Sequence, residues 1–107
     1  MGLAEKSSVL QVGDIQLNMA THEVTRAGRQ IDLTVTEYNL LHLFMSHPGQ
    51  VLDRQTILNQ VWGYDYFGDA RTVDTHIRSL RDKLGPYRNR IATVWGTGYR
   101  FEAGGAR

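Results

Sequence analysis

The residues of this chain best suited to binding chemistry lie in one stretch, Ala70 to Gly85. At about 100° per residue, a helix over this stretch carries one narrow apolar stripe, made of Val73, Ile77, Leu80 and Leu84. The other side carries polar residues: Arg71, Thr75, Arg78 and Asp82 along its middle, Ser79 on one flank, and Thr72 and His76 further round. Such side chains hydrogen-bond base edges and phosphate oxygens, and a helix fits the major groove of B-DNA. The stretch therefore predicts a recognition helix; the alternative is the solvated face of an ordinary surface helix.

Other chemistries lack the residues they need. The sequence shows no pattern of a catalytic nucleophile with its base and no pair of catalytic carboxylates, so it does not predict an enzyme. The four histidines have no i, i+4 pairing and the chain has no cysteine, which predicts no metal site. The segment Gly96-Thr97-Gly98 lacks the lysine and helix start of a phosphate loop, so no cofactor is expected.

Bulk composition is that of one soluble domain. The chain has 107 residues, 41% hydrophobic and 21% charged. No apolar run approaches the roughly 18 residues of a membrane span, and the lack of cysteine is compatible with a reducing compartment. We expect a cytoplasmic protein that does not enter a membrane.

Positive charge is concentrated in the second part of the chain. Residues 1–70 carry four lysines and arginines against eight acidic residues, whereas residues 71–107 carry eight against three. The basic part contains the candidate recognition helix, where positive charge would neutralise phosphates and release counterions.

The first 33 residues show the period-two alternation of short strands. Residues 2–8 read as a linker end, and four short runs follow at Val9–Val12, Ile15–Leu17, Val24–Arg26 and Gln30–Leu33. This pattern predicts an antiparallel meander of three or four strands with Gly28 at a turn. We interpret this sheet as a platform for the rest of the domain.

At Thr34 the period changes to that of a helix. Thr34 and Glu37 fit a capping box, which explains Glu37 better than a catalytic role does. The strongly apolar helix that follows ends at His47-Pro48-Gly49 and is expected to be the central core helix. Val51-Leu52 is a short strand or an extended link.

Asp53 is a plausible N-cap for a second helix, Arg54 to Trp62. An aromatic loop, Gly63 to Asp69, separates that helix from the candidate recognition helix. Its three rings cannot all be hidden, which predicts a surface for another protein; the alternative is that one or two rings cover the core.

The order of elements is that of a winged helix-turn-helix. After Gly85-Pro86, the runs Ile91–Val94 and Tyr99–Phe101 flank Trp95 to Gly98, which predicts a β-hairpin. Three helices followed by a hairpin place the third helix in the major groove and the hairpin on the neighbouring backbone or minor groove.

Four spaced motifs carry a resemblance from about Val9 to Phe101. They are LTVTEYNLL, HPGQVLDRQTILNQVWG, RTVDTHIRSLRDKLG and TVWGTGYRF. In this order they resemble the C-terminal effector domain of OmpR/PhoB-type response regulators, transcription factors of two-component systems. The resemblance implies an α+β winged helix-turn-helix with an N-terminal four-stranded antiparallel sheet, three helices and a C-terminal hairpin wing. The expected boundaries are a linker remnant or tag at 1–8, the DNA-binding domain at 9–102 and a flexible tail at 103–107.

The resemblance also implies site residues and partners. Base-facing positions are Thr75, Arg78 and Ser79, and DNA-backbone positions are Trp62, Arg71, Thr72, His76, Thr93 and Tyr99. The wing residues are Trp95 and Thr97, and the loop expected to contact RNA polymerase contains Tyr64, Asp65, Tyr66, Phe67 and Asp69. Binding is expected head-to-tail on direct repeats of double-stranded DNA, under control of a receiver domain that this sequence lacks.

Two residues depart from the pattern of the family. Trp95 stands where many relatives have an arginine that enters the minor groove, and Ser79 is shorter than the basic residue of some relatives. Asp74, which lies on the same helix as Ser79, is expected to make a structural or arginine-orienting contact rather than a base contact, since a carboxylate near phosphates is repelled unless it meets cytosine N4.

Two other binding functions remain as alternatives. The main one is a winged-helix protein-interaction module that works through the aromatic loop at 63–69. RNA binding has less support, because no paired aromatic platform is present. DNA binding is distinguished from the first alternative by affinity that falls steeply with log salt.

Overall fold

Four short antiparallel strands begin the described part of the chain, which runs from residue 8 to residue 103 in a computed structural model. They are paired in chain order as β1 (Val9–Val12), β2 (Ile15–Asn18), β3 (Val24–Arg26) and β4 (Arg29–Ile31). The predicted four-stranded antiparallel sheet is confirmed. The last strand begins one residue earlier than expected, because Ala27 and Gly28 have φ of 50° and 80° and make a two-residue turn that pairs Arg26 with Arg29.

The central helix α1 (Val35–Ser46) packs on this sheet. Thr34 and Glu37 form the predicted capping box, in which the Glu37 amide donates to the Thr34 hydroxyl at 3.1 Å. The apolar side of α1 meets the inner face of the sheet, and the core residues of these two elements are Ile15, Leu17, Val24, Leu40, Leu41, Phe44 and Met45.

Helices α2 (Arg54–Trp62) and α3 (Arg71–Leu84) complete the three-helix layer. Asp53 caps α2 as predicted, because its carboxylate accepts from the Thr56 amide at 2.7 Å. All four residues of the α3 stripe, Val73, Ile77, Leu80 and Leu84, are 0% exposed. The predicted inner face of α3 is therefore confirmed, and the polar side of the helix faces away from the core.

A second sheet contains the two strands of the wing and a third strand at Val51–Asp53, where the sequence pattern allowed either a short strand or an extended link. Strands β6 (Ile91–Val94) and β7 (Gly98–Phe101) form the predicted hairpin, and β5 (Val51–Asp53) pairs with β7 on the other side. Gly98 lies inside β7, where an added Cβ would be 2.1 Å from the Leu52 carbonyl oxygen. Only glycine allows β5 to approach the wing this closely.

A 3₁₀ helix at Gly85–Arg90 connects α3 to the wing. Gly85 has a φ of 58°, and Pro86 follows it at the start of the 3₁₀ helix. The predicted end of α3 is confirmed. The sequence pattern did not indicate the 3₁₀ helix that follows it.

Two predicted segments lie almost entirely outside the described residues. They are the linker remnant at 1–8, of which only Ser8 is described, and the tail at 103–107, of which only Ala103 is described. Among the residues that are described, no helix is long and apolar enough to cross a membrane.

Candidate nucleic-acid interface

The outer line of α3 is open to solvent. Arg78, Thr75 and Asp82 are exposed, on the side opposite the buried stripe. Within residues 8–103, no hydrogen bond or ion pair holds the guanidinium of Arg78. A free guanidinium on an accessible helix face is available for bidentate hydrogen bonding to a guanine edge or a phosphate.

Arg71 begins α3 and is already paired. Its Nε and Nη2 donate to Asp69 Oδ2 at 2.9 and 2.8 Å, and its amide donates to Asp69 Oδ1 at 2.8 Å. These hydrogen bonds hold the pKa of Asp69 below its ordinary value. Among the described residues Nη1 of Arg71 has no hydrogen-bond partner, and the carboxylate of Asp69 offsets part of the positive charge.

Three of the residues predicted to contact the DNA backbone form one cluster where α2 and α3 meet. They are Trp62, Thr72 and His76. The rings of Trp62 and His76 meet edge to face at 5.2 Å between centroids, and His76 Nδ1 donates to the Thr72 carbonyl oxygen at 2.8 Å. A carbonyl oxygen can only accept, so the proton sits on Nδ1. The neutral ring then offers Nε2 as an acceptor, and donation from Nε2 to a phosphate needs a second proton.

Two other predicted backbone residues, Thr93 and Tyr99, lie inside a network that ties the wing to α3. Tyr99 is 5% exposed and its hydroxyl donates to Asp74 Oδ1 at 2.5 Å. Arg54 Nε donates to the same oxygen at 2.8 Å. Asp74 thus orients an arginine, as its carboxylate chemistry predicts. Burial, and then the bond to Asp74, raises the pKa of Tyr99.

Arg81 makes the second link of this network. Its guanidinium donates to the Ile91 carbonyl oxygen at 2.7 and 3.0 Å and to Thr93 Oγ1 at 2.9 Å. It also lies 5.5 Å from the centre of the Tyr99 ring, and burial lowers its pKa. The hydroxyls of Thr93 and Tyr99 therefore both have partners on α3, and the DNA-backbone contacts implied for these two residues stay predictions.

Ser79 is also held by another element. Its hydroxyl donates to Glu37 on α1, and the same carboxylate accepts from Lys83 Nζ at 2.7 Å and from the Thr34 amide at 2.9 Å. Burial by itself would raise the pKa of Glu37, but the hydrogen bonds from Lys83, Ser79 and Thr34 outweigh it and hold that pKa below its ordinary value. Ser79 thus lies on the flank of α3 and is bonded to α1, and the base-facing role that the resemblance implies for it stays a prediction.

The wing tip is a tight turn with an exposed aromatic residue. The Thr97 amide donates to the Val94 carbonyl oxygen at 3.0 Å, and Gly96 has a φ of 80°. This is the geometry of a type II turn with Trp95 at its second position. Trp95 is 89% exposed, and Thr97 is exposed beside it.

All three aromatic residues of the loop between α2 and α3 are exposed, to different degrees. Phe67 is 98% exposed, Tyr64 is 75% exposed and Tyr66 is 37% exposed, and the Tyr66 ring centre lies 6.3 Å from that of Trp62. Asp65 and Asp69 are exposed with them. Only the Tyr66 ring packs against the fold, so the loop is an accessible aromatic surface.

Sequence reasoning missed the residues that hold the interface in place. Arg81 and Lys83 border the apolar stripe of α3, and Arg54 begins α2. For Arg81 and Lys83, the sequence signal was their position at the edge of the buried stripe, from which a long side chain can reach a neighbouring element. No group of three or more metal-binding side chains comes together in residues 8–103.

Comparisons with known proteins agree with this architecture. Residues 28–101 match the family model described as "Transcriptional regulatory protein, C terminal". The chain is 47% identical over 102 residues to the transcriptional regulatory protein CseB of Streptomyces coelicolor, which covers 95% of this chain and 43% of CseB. It is 43% identical over 101 residues to the phosphate regulon transcriptional regulatory protein PhoB of Pseudomonas aeruginosa, which covers 94% of this chain and 44% of PhoB. The chain therefore spans less than half the length of these relatives.

A solved structure with the same fold contains DNA. The crystal structure of the Klebsiella pneumoniae RstA DNA-binding domain in complex with the RstA box superposes with a TM-score of 0.80. Sequence identity is 29%, and the match covers 90% of this chain and 98% of the RstA chain.

Proposed function

We propose that this chain, which belongs to the family of C-terminal domains of transcriptional regulatory proteins, binds double-stranded DNA sequence-specifically and thereby controls transcription. Family membership confirms the resemblance to OmpR/PhoB-type effector domains that the four motifs indicate. The observation that carries the proposal is the outer line of α3, where Arg78 and Thr75 are exposed opposite a fully buried stripe.

The dimensions and chemistry of α3 suit the major groove. A helix of 14 residues is about 21 Å long, and the groove of B-DNA, about 12 Å wide, admits a helix. In this arrangement Arg78 makes a bidentate contact to guanine O6 and N7, and the methyl group of Thr75 packs on a thymine methyl. The cluster of Trp62, Thr72 and His76, together with Arg71, contacts the sugar-phosphate backbone and fixes the register of α3.

We also propose finer assignments, which family membership and the exposed loop support. Residues 9–102 are the DNA-binding domain, which binds head-to-tail on direct repeats in the cytoplasm, under control of a receiver domain in the longer protein. The aromatic loop contacts RNA polymerase, and the exposure of Phe67 and Tyr64 supports this role. The alternative, a protein-interaction module that works through the same loop, is not favoured, because it leaves the exposed face of α3 without a function.

The test begins with selection of bound duplexes from a random pool on the full 107-residue chain. Affinity for the selected site is then measured at several salt concentrations. For a sequence-specific DNA-binding domain, log affinity falls linearly with log salt, with a slope of about 0.9 per phosphate neutralised. A protein-interaction module would retain DNA only weakly and without sequence preference.

Replacement of Arg78 by alanine tests the assignment of α3. We expect Arg78→Ala to cost about 1–3 kcal/mol at the selected site and to relax preference at one base pair, because one bidentate contact is lost. Arg29→Ala is the matched control: it removes the same charge from an exposed position at the β3–β4 turn. Equal losses for the two variants would show that Arg78 acts only as a charge.

A further inference from the structure

We propose that Asp69 limits the affinity of this domain for DNA, because its carboxylate holds and partly neutralises the guanidinium of Arg71. This inference rests on the proposed function, in which Arg71 contacts the sugar-phosphate backbone at the start of α3. It gives an acidic residue at the end of the aromatic loop a negative effect on DNA affinity, which a change of one side chain can remove.

Asp69 makes two separate kinds of contact at the start of α3. Its Oδ1 accepts from the Arg71 amide at 2.8 Å, and its carbonyl oxygen accepts from the Thr72 amide at 3.1 Å. These two bonds cap the first turn of the helix. Its Oδ2 instead accepts from the Arg71 side chain, through Nε at 2.9 Å and Nη2 at 2.8 Å. The cap and the contact with the guanidinium therefore use different oxygens.

The contact with the guanidinium reduces what Arg71 can offer to a phosphate. Nε and Nη2 form one edge of the guanidinium, from which it can donate two parallel hydrogen bonds to an oxyanion, and Asp69 occupies that edge. The hydrogen bonds from the side chain and then the amide of Arg71 hold the pKa of Asp69 below its ordinary value, so the carboxylate is ionised at neutral pH. A bound carboxylate offsets the attraction of the guanidinium for a second anion.

The exposure of both side chains allows a phosphate to compete with the carboxylate. The side chain of Arg71 is 86% exposed and that of Asp69 is 58% exposed, and ion pairs this accessible to water are weak. If the pair persists in the complex with DNA, the carboxylate faces the phosphate and repels it. If the pair breaks, DNA binding must first replace an existing contact. Asp69 lowers the affinity in both cases.

A positioning role for Asp69 predicts the opposite sign. If the carboxylate held Arg71 in the conformation that meets a phosphate, its loss would weaken binding, because a disordered side chain loses more conformational freedom in the complex. The direction of the change in affinity therefore distinguishes a residue that limits binding from one that prepares it.

Asp69→Asn removes the charge and keeps the cap. Asparagine caps helices as well as aspartate does, so its Oδ1 can still accept from the Arg71 amide. On a duplex that contains one repeat unit of the selected site, we expect Asp69→Asn to tighten binding about two- to fivefold, the scale of an exposed ion pair. The salt slope should become steeper by up to about 0.9, because Arg71 then acts as a free cation at a phosphate.

Asp65→Asn is the matched comparison. It removes the same charge from the same loop, and in the part of the chain that the structure describes, no hydrogen bond or ion pair holds the Asp65 carboxylate. It should show only the smaller gain that comes from a lower negative charge near DNA. In an Arg71→Ala background, the gain from Asp69→Asn should fall to that of Asp65→Asn. Urea denaturation checks that each variant folds, and Asp69→Ser, which also offers a capping oxygen, is the second variant.

The outcomes separate this inference from the proposed function. If Asp69→Asn gains no more than Asp65→Asn, or keeps its full gain without Arg71, the inference is wrong. If Asp69→Asn folds and binds more weakly than the parent chain, the carboxylate positions Arg71 and the inference is also wrong. In each of these cases the DNA-binding function stands, provided that Arg78→Ala is impaired. If the parent chain binds no duplex with sequence preference, both proposals are wrong.

Discussion

Replacement of Glu37 by glutamine removes a negative charge from the interior of the domain and keeps the shape of the side chain. Glu37 is 2% exposed, and its carboxylate joins α1 to Ser79 and Lys83 of α3. It is therefore the main polar link that orients the candidate recognition helix on the core. We expect Glu37→Gln to lower the free energy of unfolding.

The size of the expected destabilisation follows from what happens at each oxygen. Oε1 accepts from both the Thr34 amide and Lys83 Nζ, so a glutamine carbonyl there keeps the helix cap but meets Lys83 without a negative charge. The amide group at the Oε2 position cannot accept from Ser79, and hydrogen bonds to charged groups contribute about 1.5–3 kcal/mol. The Lys83 side chain is 37% exposed and regains water, which reduces the loss. The net effect should be about 1–3 kcal/mol, a substantial part of the stability of a small domain.

Urea denaturation measures this difference directly. Glu23→Gln is the matched control, since the same chemical change at an exposed glutamate should stay within about 0.5 kcal/mol of the parent chain. A Glu37→Gln variant as stable as Glu23→Gln would refute the conclusion that the carboxylate orients α3.

The pH dependence of stability provides an independent check. The pKa of Glu37 in the folded state lies below its ordinary value of 4.5, so below about pH 4.5 the unfolded chain binds the proton first. The stabilisation is therefore complete above that pH and is lost as the pH falls towards the folded pKa. The stability difference between the parent chain and Glu37→Gln should shrink over that acid range.

Two further predictions concern the contacts that hold the wing against α3 and against β5. Tyr99→Phe should lower the free energy of unfolding by about 1 kcal/mol, because a buried hydroxyl loses its bond to Asp74, as measured in urea; unchanged stability together with weaker DNA binding would instead support the backbone contact inferred from the family. Gly98→Ala should cost about 3 kcal/mol or more, because the new Cβ would overlap the Leu52 carbonyl oxygen. A thermal melt close to that of the parent chain would show that β5 moves aside easily.

The sequence by itself determined the elements whose signals are local. The stripe of α3 follows from 3.6-residue spacing, and the helix starts at Thr34 and Asp53 follow from side chains three residues from their partners. Gly28 marked its turn because few other residues tolerate positive φ. Each of these features depends on neighbours in the chain, so one sequence is enough to predict it.

Only the tertiary structure decided which partners the polar side chains meet within the fold. Ser79, Thr93 and Tyr99 have the chemistry of DNA contacts, and their hydroxyls bond to Glu37, Arg81 and Asp74 on other elements. Glu37 and Ser79 are 42 residues apart, and the pairing of β5 with β7 joins residues that are even more distant, such as Val51 and Arg100. No local pattern encodes such partners, because a hydrogen bond of this kind exists only after the helices and the wing have packed.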